Sequence, residues 1–400
     1  MKLHLRYIMK IPKLISFELA QKIIIQEKKK LFKETRVKLE KSNNAVASRV
    51  IISPINLPLQ NCAGLDGYII SNKNLKKISI SKRLLSAGHS YKKLNPNLAY
   101  KINTGAIIPQ NFQNFISLEN AKIEDNNLII QYSKISNKDI KKKGDDLKKN
   151  KILVKKNEKI DFIKIALLSS VGITNLWTYK PLNIGVISSG NELIKSGKKI
   201  KDHQVYDSNK NQIIYFLKRF NIKAKDLGVL KDNQLKIKSF YKNNQDKFDI
   251  IISSGGSSFS SKDFISSFLE DHTNLLFKYV RIQPGRPVIF SKLKSNFYFS
   301  LPGNPLAVFI NLFFLISLFI DPSRNNNSSI TKYYRSAFSE NKKSNITKFY
   351  RVKLSKNLLH THNSKGSAKL ISLAEADGLA IVPEGMNKIK KGEKINFIEF

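Results

Sequence analysis

The 400-residue chain has one cysteine, Cys62, one tryptophan and few acidic residues. A single cysteine excludes an intramolecular disulfide and a cysteine-rich zinc site, and it favours a reducing, cytoplasmic setting. The chain also lacks a long hydrophobic run. Its longest apolar stretch, residues 306–320, contains Asn311 and Ser317 and is shorter than the roughly 20 residues that a membrane-spanning helix needs. We therefore expect a buried helix there and no membrane partner.

Positive charge is in large excess, since 70 Lys and Arg face 30 Asp and Glu for a net charge of +40. Such a balance is typical of proteins that bind nucleic acid, an anionic membrane or an acidic substrate. The lysines are spread over the whole chain beside abundant Asn and Ile, however, as biased nucleotide composition would also produce. No aromatic-rich RNA-binding motif accompanies them. We expect no nucleic-acid partner, and an RNA-binding protein stays the alternative from another functional class.

Length alone predicts roughly two to four domains. Changes in apolar periodicity and in turn residues along the chain predict four domains. They are a discontinuous helical linker domain (12–52 and 141–180), a β-rich insertion (53–140), an α/β domain (181–323) and a C-terminal β domain (330–400). Within the linker, residues 14–39 predict one helix with Ser16 as the candidate N-cap. Residues 160–168 predict a second helix that packs on the first.

Strand and helix patterns alternate between residues 182 and 318, which predicts a mostly parallel sheet with helices on both faces. The predicted strands are 184–188, 222–230, 248–253, 288–290 and 297–301, and the predicted helices are 209–220, 233–243, 264–271 and 305–319. Ligands of such sheets bind at the carboxyl ends of the strands. The loops after these strands are therefore the candidate site.

Two of these loops are rich in glycine or proline: Ser-Ser-Gly-Gly-Ser-Ser at 253–258 and Leu-Pro-Gly-Asn-Pro at 301–305. Glycine permits positive φ and lets backbone N–H groups approach an anion. The pair of loops predicts a site for phosphate or another oxyanion.

Four carboxylates lie at the ends or starts of elements in the same region: Glu192, Asp207, Asp232 and Asp263. Singly, each is explained as well by a helix cap or a loop residue, and Asp207 stands where an N-cap would. Beside phosphate loops, they predict a divalent ion, because Mg²⁺ is commonly held by one or two carboxylates and substrate phosphates.

Further motifs extend over nearly the whole chain, from about residue 14 to Phe400. In order, they are Leu65-Asp66-Gly67-Tyr68, Thr104-Gly105-Ala106, Gly144-Asp145-Asp146, Ser189-Gly190-Asn191-Glu192-Leu193, Asp207-Ser208-Asn209, Gly255-Gly256-x-Ser258 with Asp263, Pro284-Gly285-x-Pro287 and Leu301-Pro302-Gly303-Asn304-Pro305. Together they resemble the molybdopterin molybdenumtransferases, the family that includes the C-terminal part of gephyrin. Eight ordered motifs are far more specific than any one glycine pair.

The resemblance implies an elongated homodimer of α/β multidomain subunits. Each would have a central molybdopterin-binding α/β domain with a parallel-type sheet, a β-rich insertion, a helical linker domain and a C-terminal β-barrel-like domain. It implies a transferase that inserts molybdate into the dithiolene of adenylylated molybdopterin, with Mg²⁺-assisted release of AMP. Other proteins of molybdenum cofactor synthesis are the further partners that it implies.

The resemblance also assigns roles to residues. Asp66 and Thr104 would act from the other subunit, and Glu192 and Asp263 would be catalytic residues and metal ligands. The implied substrate-binding residues are Asp146, Ser189, Gly190, Asp207, Asp232, Gly255, Gly256, Ser258, Arg286, Pro302, Gly303, Asn304 and Pro305.

One motif departs from the family pattern, which usually has Lys-Pro-Gly-Lys where this chain has Gln283-Pro284-Gly285-Arg286. Arg286 keeps a cation for an oxyanion, with a planar and permanently charged fork, whereas Gln283 supplies no charge. The alternative interpretation is therefore a catalytically weakened relative that binds molybdopterin or its adenylate as a carrier or scaffold. The loop residues do not distinguish molybdate from tungstate.

Overall fold

The computed structural model describes residues 14–91, 93–255, 264–325, 331–342, 345–361 and 370–400. These residues form two compact units. The first unit contains the described residues up to Thr35, residues 44–46 and the chain from Thr178 onward, and the second contains residues 36–43 and 47–177.

The α-helices are α1 (Phe17–Lys28), α2 (Phe162–Ser170), α3 (Ser208–Lys218), α4 (Gln234–Asn244), α5 (Phe264–His272), α6 (Pro305–Asn311), α7 (Ser317–Ile320) and α8 (Leu370–Ala374). A π-helical turn, Leu312–Ile316, joins α6 to α7. Short 3₁₀ turns lie at Leu39–Lys41, Leu118–Asn120, Tyr132–Lys134 and Asn137–Asp139.

The strands are β1 (Glu34–Lys38), β2 (Ile51–Ile52), β3 (Cys62–Ala63), β4 (Gly67–Ile70), β5 (Lys77–Ser79), β6 (Tyr100–Ile102), β7 (Asn114–Ser117), β8 (Lys122–Glu124), β9 (Asn127–Ile129), β10 (Ile140–Lys141), β11 (Ile152–Val154), β12 (Asn175–Tyr179), β13 (Ile184–Ser189), β14 (Leu193–Ile194), β15 (Val205–Tyr206), β16 (Lys225–Leu230), β17 (Ile250–Ser254), β18 (Asn274–Lys278), β19 (Ile282–Gln283), β20 (Ile289–Leu293), β21 (Asn296–Leu301), β22 (Lys332–Ser336), β23 (Glu340–Asn341), β24 (Thr347–Ser355), β25 (Leu358–Thr361), β26 (Gly378–Val382), β27 (Lys388–Ile389) and β28 (Lys394–Glu399).

A six-stranded sheet in the order β16-β13-β17-β21-β20-β18 forms the centre of the first unit. The first four strands are parallel, and β20 pairs antiparallel with both β21 and β18. Ile250 and Ile252 face a core built with α1, α3, α6 and α7, whereas Ile251 faces a core built with α4 and α5. Burial on both faces explains why β17 is apolar throughout, as strands of parallel sheets are. The prediction of a covered, mostly parallel sheet is confirmed.

The register of this sheet brings several loops to one edge. Ser188 of β13 pairs with Ser254 of β17, which in turn pairs with Leu301 of β21. Ile289, at the start of the antiparallel β20, pairs with Ser300. The loops after the parallel strands and the turn before β20 therefore lie side by side.

The N-terminal helix begins as predicted and ends earlier. Ser16 Oγ accepts a hydrogen bond from the Leu19 amide at 3.1 Å, which is the N-cap contact. The helix stops at Lys28, not near residue 39, because residues 34–38 alternate between exposed and half-buried positions and form β1, which pairs with β12. The predicted second helix is present as α2, which packs in the core of the second unit, whereas α1 packs in the core of the first.

The C-terminal strands close into a barrel. The order β24-β25-β22-β28-β26 is completed by a pairing of β26 with β24. Val352, Leu359 and Phe397 are fully buried in its interior. The predicted barrel-like C-terminal domain is therefore confirmed.

The second unit is rich in short strands. β4 lies between β6 and β7, and β9 lies between β5 and β8. Separate small cores form around Phe115 and Ile78, while Leu168 of α2 packs in a third core. These strands confirm the predicted β-rich insertion.

Residues 305–320 form the buried helical segment that the apolar stretch predicted. Across the described ranges of the chain, no helix has the combined length and apolar character of a membrane span.

Candidate functional site

The loop after β17 meets the loop after β13 at the sheet edge. Gly255 has φ +83°, and a Cβ at this position would overlap the carbonyl oxygen of Ser189. The approach of the two loops therefore requires glycine. The Gly255 amide donates to the Leu301 carbonyl at 3.1 Å. The sequence predicted that this amide would be free to bind an anion, but it is used within the fold. The predicted site residues Gly256, Ser258 and Asp263 lie outside the described residues.

A small polar network ties the loop after β13 to the loop after β16. Ser189 Oγ donates to Asp232 Oδ1 at 3.0 Å, and the Asp232 amide donates to Asn191 Oδ1 at 3.2 Å. Lys231 Nζ donates to the Asn191 carbonyl at 3.0 Å. The two predicted residues Ser189 and Asp232 are therefore brought together, and one Asp232 oxygen is used to hold the loop.

Glu192 presents an exposed carboxylate beside this network. A Cβ at Gly190 would lie 2.6 Å from one of its oxygens, so the side chain folds back over that glycine. Among the described residues, no hydrogen-bond or ion-pair partner approaches this carboxylate. Glu192 is thus free to accept a ligand at the sheet edge.

Asp207, a predicted substrate-binding residue, is buried and engaged in structural contacts. Its Oδ1 accepts from Ser188 Oγ at 2.9 Å and from the Lys210 amide at 3.2 Å, and its Oδ2 lies 3.3 Å from Lys210 Nζ. It is the N-cap of α3. This is the role that the sequence left open for it.

Asn209 joins two of the loops, which the sequence reasoning missed. Its Nδ2 donates to Ser254 Oγ at 2.9 Å and to the Gly303 carbonyl at 2.8 Å. The residue stood inside a recognised motif but received no role. Its role could have been predicted from its position, because it is an amide side chain in the first turn of a helix that begins at the sheet edge.

The loop after β21 combines a helix cap with an open backbone. Asn304 Oδ1 accepts from the amides of Leu306 and Ala307 at 3.0 and 3.4 Å, and Pro305 occupies the first turn of α6. A Cβ at Gly303 would meet no atom within 4 Å. The Asn304 side chain is therefore used in capping, and the Gly303 backbone borders open space next to the buried Pro302.

Arg286 lies in the turn that leads into β20, and its side chain is exposed. Its guanidinium makes no ion pair with any carboxylate of the described chain. Because Ile289 pairs with Ser300, this turn is at the same sheet edge as Gly303. Arg286 therefore offers an uncommitted cation at the predicted site.

In the second unit, Asp66 and Thr104 form one hydrogen-bonded pair. The Thr104 amide and hydroxyl both donate to Asp66 Oδ1, at 2.7 and 2.8 Å. These two bonds, with a smaller contribution from Lys101, hold the pKa of the Asp66 carboxyl below its usual range. Asp146 is exposed, and its amide donates to the Leu57 carbonyl at 3.0 Å in a separate turn.

The described residues contain no group of three His, Cys, Asp or Glu side chains placed to hold a metal ion. They do supply oxygen donors of the kind that Mg²⁺ prefers, in the free Glu192 carboxylate and the neighbouring Asp232. This donor set fits a cation that keeps several waters and is completed by substrate phosphates. It does not fit a closed structural metal site.

Three family models match the chain in consecutive stretches: the MoeA N-terminal region (domain I and II) at residues 15–172, a probable molybdopterin binding domain at 185–320 and the MoeA C-terminal region (domain IV) at 334–400. The chain belongs to the molybdopterin molybdenumtransferase family. The sheet-edge residues fall within the molybdopterin-binding match, and Asp66, Thr104 and Asp146 fall within the N-terminal match. The resemblance in sequence motifs is thereby confirmed.

Alignments with several similar proteins of known sequence or structure cover most of this molybdopterin molybdenumtransferase family member. A molybdopterin molybdenumtransferase of Haemophilus influenzae is 29% identical over 282 residues, covering 70% of each chain. A putative molybdopterin biosynthesis protein of Methanocaldococcus jannaschii is 24% identical over 398 residues, covering 96% of this chain and 98% of its own. The crystal structure of the molybdopterin biosynthesis MoeA protein from Pyrococcus horikoshii superposes with a TM-score of 0.83 at 27% identity, covering 97% of this chain and 99% of that one.

Proposed function

We propose that the protein is a molybdopterin molybdenumtransferase that inserts molybdate into adenylylated molybdopterin and releases AMP, forming molybdenum cofactor. The observation that carries the proposal is the shared sheet edge. There, beside the Ser189 and Gly303 loops, neither the Glu192 carboxylate nor the Arg286 guanidinium has an ion-pair partner among the described residues. This arrangement suits an anionic substrate that binds together with a metal ion, because the carboxylate can bind the metal ion and the guanidinium can bind the anion.

The sheet edge would bind and orient the adenylate. The exposed Gly303 loop offers close backbone approach to a phosphate, and Arg286 offers a charge-assisted contact to an oxyanion. Asn209 ties the Ser254 and Gly303 loops together, so that these groups keep fixed positions during the reaction. Preorganised donors of this kind lower the cost of stabilising charge that develops in the transition state.

Glu192 would be the principal protein ligand of Mg²⁺, with Asp263 as a second ligand in the part of the chain that is not described. The ion would neutralise negative charge on the departing AMP. The network of Ser189, Asp232 and Asn191 would hold the loop so that Glu192 faces the substrate.

Asp66 would act as an anion, because the two hydrogen bonds from Thr104 stabilise its ionised form. We propose that this pair contributes to the site of a second subunit in a homodimer. We also propose a cytoplasmic location, since a chain with one cysteine suits a reducing compartment.

A carrier or scaffold for molybdopterin is the second candidate. The observation in its favour is Gln283, an exposed uncharged residue of β19 at a position where the family usually has lysine. Such a protein would bind the adenylate and leave it intact.

The two candidates are separated by incubating the protein with adenylylated molybdopterin, Mg²⁺ and molybdate while AMP is measured. Release of AMP at catalytic rates supports the transferase. Binding of the adenylate without AMP release would contradict it and support the scaffold. Replacing Glu192 by Gln should abolish most of the release while leaving the far-ultraviolet circular dichroism unchanged.

A further inference from the structure

A polar side chain is fully buried in the apolar segment that follows the Gly303 loop. Asn311 is the last residue of α6 and has no exposed surface. Its Nδ2 donates to the Ala307 carbonyl at 2.8 Å, within the helix, and to the Gly285 carbonyl at 3.2 Å, outside the helix. One side chain thus connects α6 to the turn that carries Arg286.

This asparagine is a costly choice for its location. A carboxamide in a dry core must be hydrogen-bonded, and asparagine is a weaker helix former than leucine. The Oδ1 atom of Asn311 is buried and has no hydrogen-bond partner among the described residues. The helix also changes to a π turn at the next residue, a feature that often marks functional sites. Packing alone does not explain asparagine at this position.

The Gly285 contact fixes the turn closely. Gly285 has φ +111°, and a Cβ at this position would lie 2.9 Å from Asn311 Nδ2. The turn therefore rests directly on the amide of Asn311. The following residue is Arg286, whose side chain is exposed at the sheet edge.

The same helix begins at the other side of the proposed site. Asn304 caps α6 through the amides of Leu306 and Ala307, and the Ala307 carbonyl is the one that Asn311 contacts. The Gly303 loop leads into this short helix, and the Arg286 turn lies against its side. Asn311 supplies the side-chain link between helix and turn, beside the backbone bond from the Val280 amide to the Arg286 carbonyl at 2.9 Å.

We propose that Asn311 is a positioning residue that fixes the Pro284–Arg286 turn against α6 and so sets where Arg286 meets an oxyanion of the substrate. The identity of that oxyanion, molybdate or a phosphate of the adenylate, rests on the proposed function. The coupling of Asn311 to the turn rests on the geometry alone.

The most informative variant is Asn311→Thr. In this helix, Ser317 Oγ already donates to the Phe313 carbonyl four residues earlier, at 2.5 Å. A threonine hydroxyl at position 311 is therefore expected to keep the bond to Ala307 and to lose the longer reach to Gly285. Ser317→Ala is the matched control, because it removes a buried hydroxyl from the same helical segment without touching the turn.

Two readouts test the proposal. The first is hydrogen exchange in peptides covering residues 282–290, which should become faster in Asn311→Thr and stay at the wild-type rate in Ser317→Ala. The second is the split between KM and kcat in AMP release. We expect KM for either molybdate or the adenylate to rise about three- to tenfold, with kcat changed less than about twofold, as for loss of a binding contact. The substrate whose KM rises identifies the oxyanion.

A double variant distinguishes positioning from general destabilisation. If Asn311 acts through Arg286, Asn311→Thr should have little further effect on KM in an Arg286→Ala background. Additive effects, unchanged KM values for both substrates or unchanged exchange of the turn would each overturn the proposal. If the wild-type protein releases no AMP, the proposed function fails, and hydrogen exchange alone then decides whether Asn311 holds the turn.

Discussion

At the scale of single residues, the hydrogen bonds from Thr104 to Asp66 make a direct prediction. Thr104→Val removes the hydroxyl donor and leaves the amide donor, so the pKa of Asp66 should rise toward its usual value without fully reaching it. Asp66 would then lose its charge at a higher pH than in the wild type. Carboxyl carbon chemical shifts, followed by nuclear magnetic resonance over an acid titration, measure this change.

Glu124 provides an internal control for that titration. Its pKa is also lowered, but by a hydrogen bond and charge from Lys122 in the same unit. It should titrate identically in the wild type and in Thr104→Val. An unchanged Asp66 titration in the variant would show that the hydroxyl does not stabilise the carboxylate.

The sequence motifs identified the charged residues of the site and the glycines that let two loops approach each other. They did not identify the residues that connect loops. Glu192, Gly255 and the Asp66–Thr104 pair were all predicted as site residues. Asn209 and Asn311 were given no role, because their importance comes from which loops the sheet register places beside them.

At the scale of structural elements, the contact between the loops after β13 and β17 predicts a strong effect of Gly255→Ala. The added methyl group would overlap the Ser189 carbonyl, and alanine is strained at φ +83°. We expect a loss of about 2 kcal/mol or more in the free energy of unfolding. Urea denaturation measures this change.

Gly303→Ala is the matched control, because its added Cβ would face open space at an ordinary φ. Its stability should stay within about 0.5 kcal/mol of the wild type, as for most surface substitutions. Equal destabilisation of the two variants would show that the close approach of Gly255 to Ser189 does not require glycine.

The C-terminal end of α7 predicts a pH dependence of stability. Lys28 Nζ donates to the carbonyls of Asp321 and Arg324. Burial lowers the pKa of Lys28 to about 8, although the charge of Asp321 acts in the opposite direction. Between about pH 8 and the unfolded value near 10.5, the unfolded chain binds more protons than the folded one. Stability should therefore rise with pH across this window.

We expect the rise that is due to Lys28 to be about 2 kcal/mol between about pH 8 and about pH 10. Comparing urea unfolding of the wild type with that of Lys28→Met isolates it, since other titrating groups affect both proteins equally. The variant should show a flatter dependence on pH. Parallel curves for the two proteins would show that Lys28 titrates alike in the folded and unfolded chain.

The alternating helices and strands of the α/β region were predictable because the spacing of apolar residues within each short segment indicates its secondary structure. Helices α3, α4 and α5 and the strands β13, β17 and β21 lie within a few residues of their predicted bounds. The strand β18, which pairs antiparallel with β20, was missed. The π turn after Asn311 has no recognisable pattern in the sequence.

At the scale of the whole molecule, the fold class and family were predictable from ordered motifs, whereas the division into four domains stays a prediction. The predicted α/β and C-terminal domains belong to one compact unit of the structure, together with α1. Their large shared core, which includes Phe349 and Ile398 of the C-terminal part, explains this. Contacts of that kind cannot be read from composition shifts along the chain.

The proposed homodimer with shared sites predicts complementation between inactive variants. Asp66→Ala and Glu192→Ala should each reduce turnover strongly while the protein stays folded. If one site draws Asp66 and Glu192 from different subunits, a mixed dimer contains one intact site. Random reassortment of equal amounts should then restore about a quarter of the wild-type activity, by the symmetry of a two-fold dimer. Mixtures as inactive as the separate variants would place both residues in the site of one subunit.

The proposed transferase activity is tested most directly by the stoichiometry of AMP released to molybdenum inserted. The wild-type protein is incubated with adenylylated molybdopterin and Mg²⁺ at increasing molybdate, and both products are quantified. We expect equal amounts of AMP and molybdenum cofactor, both dependent on molybdate and both lost in Glu192→Gln. Tight binding of the adenylate without either product, or AMP release that does not depend on molybdate, would contradict it.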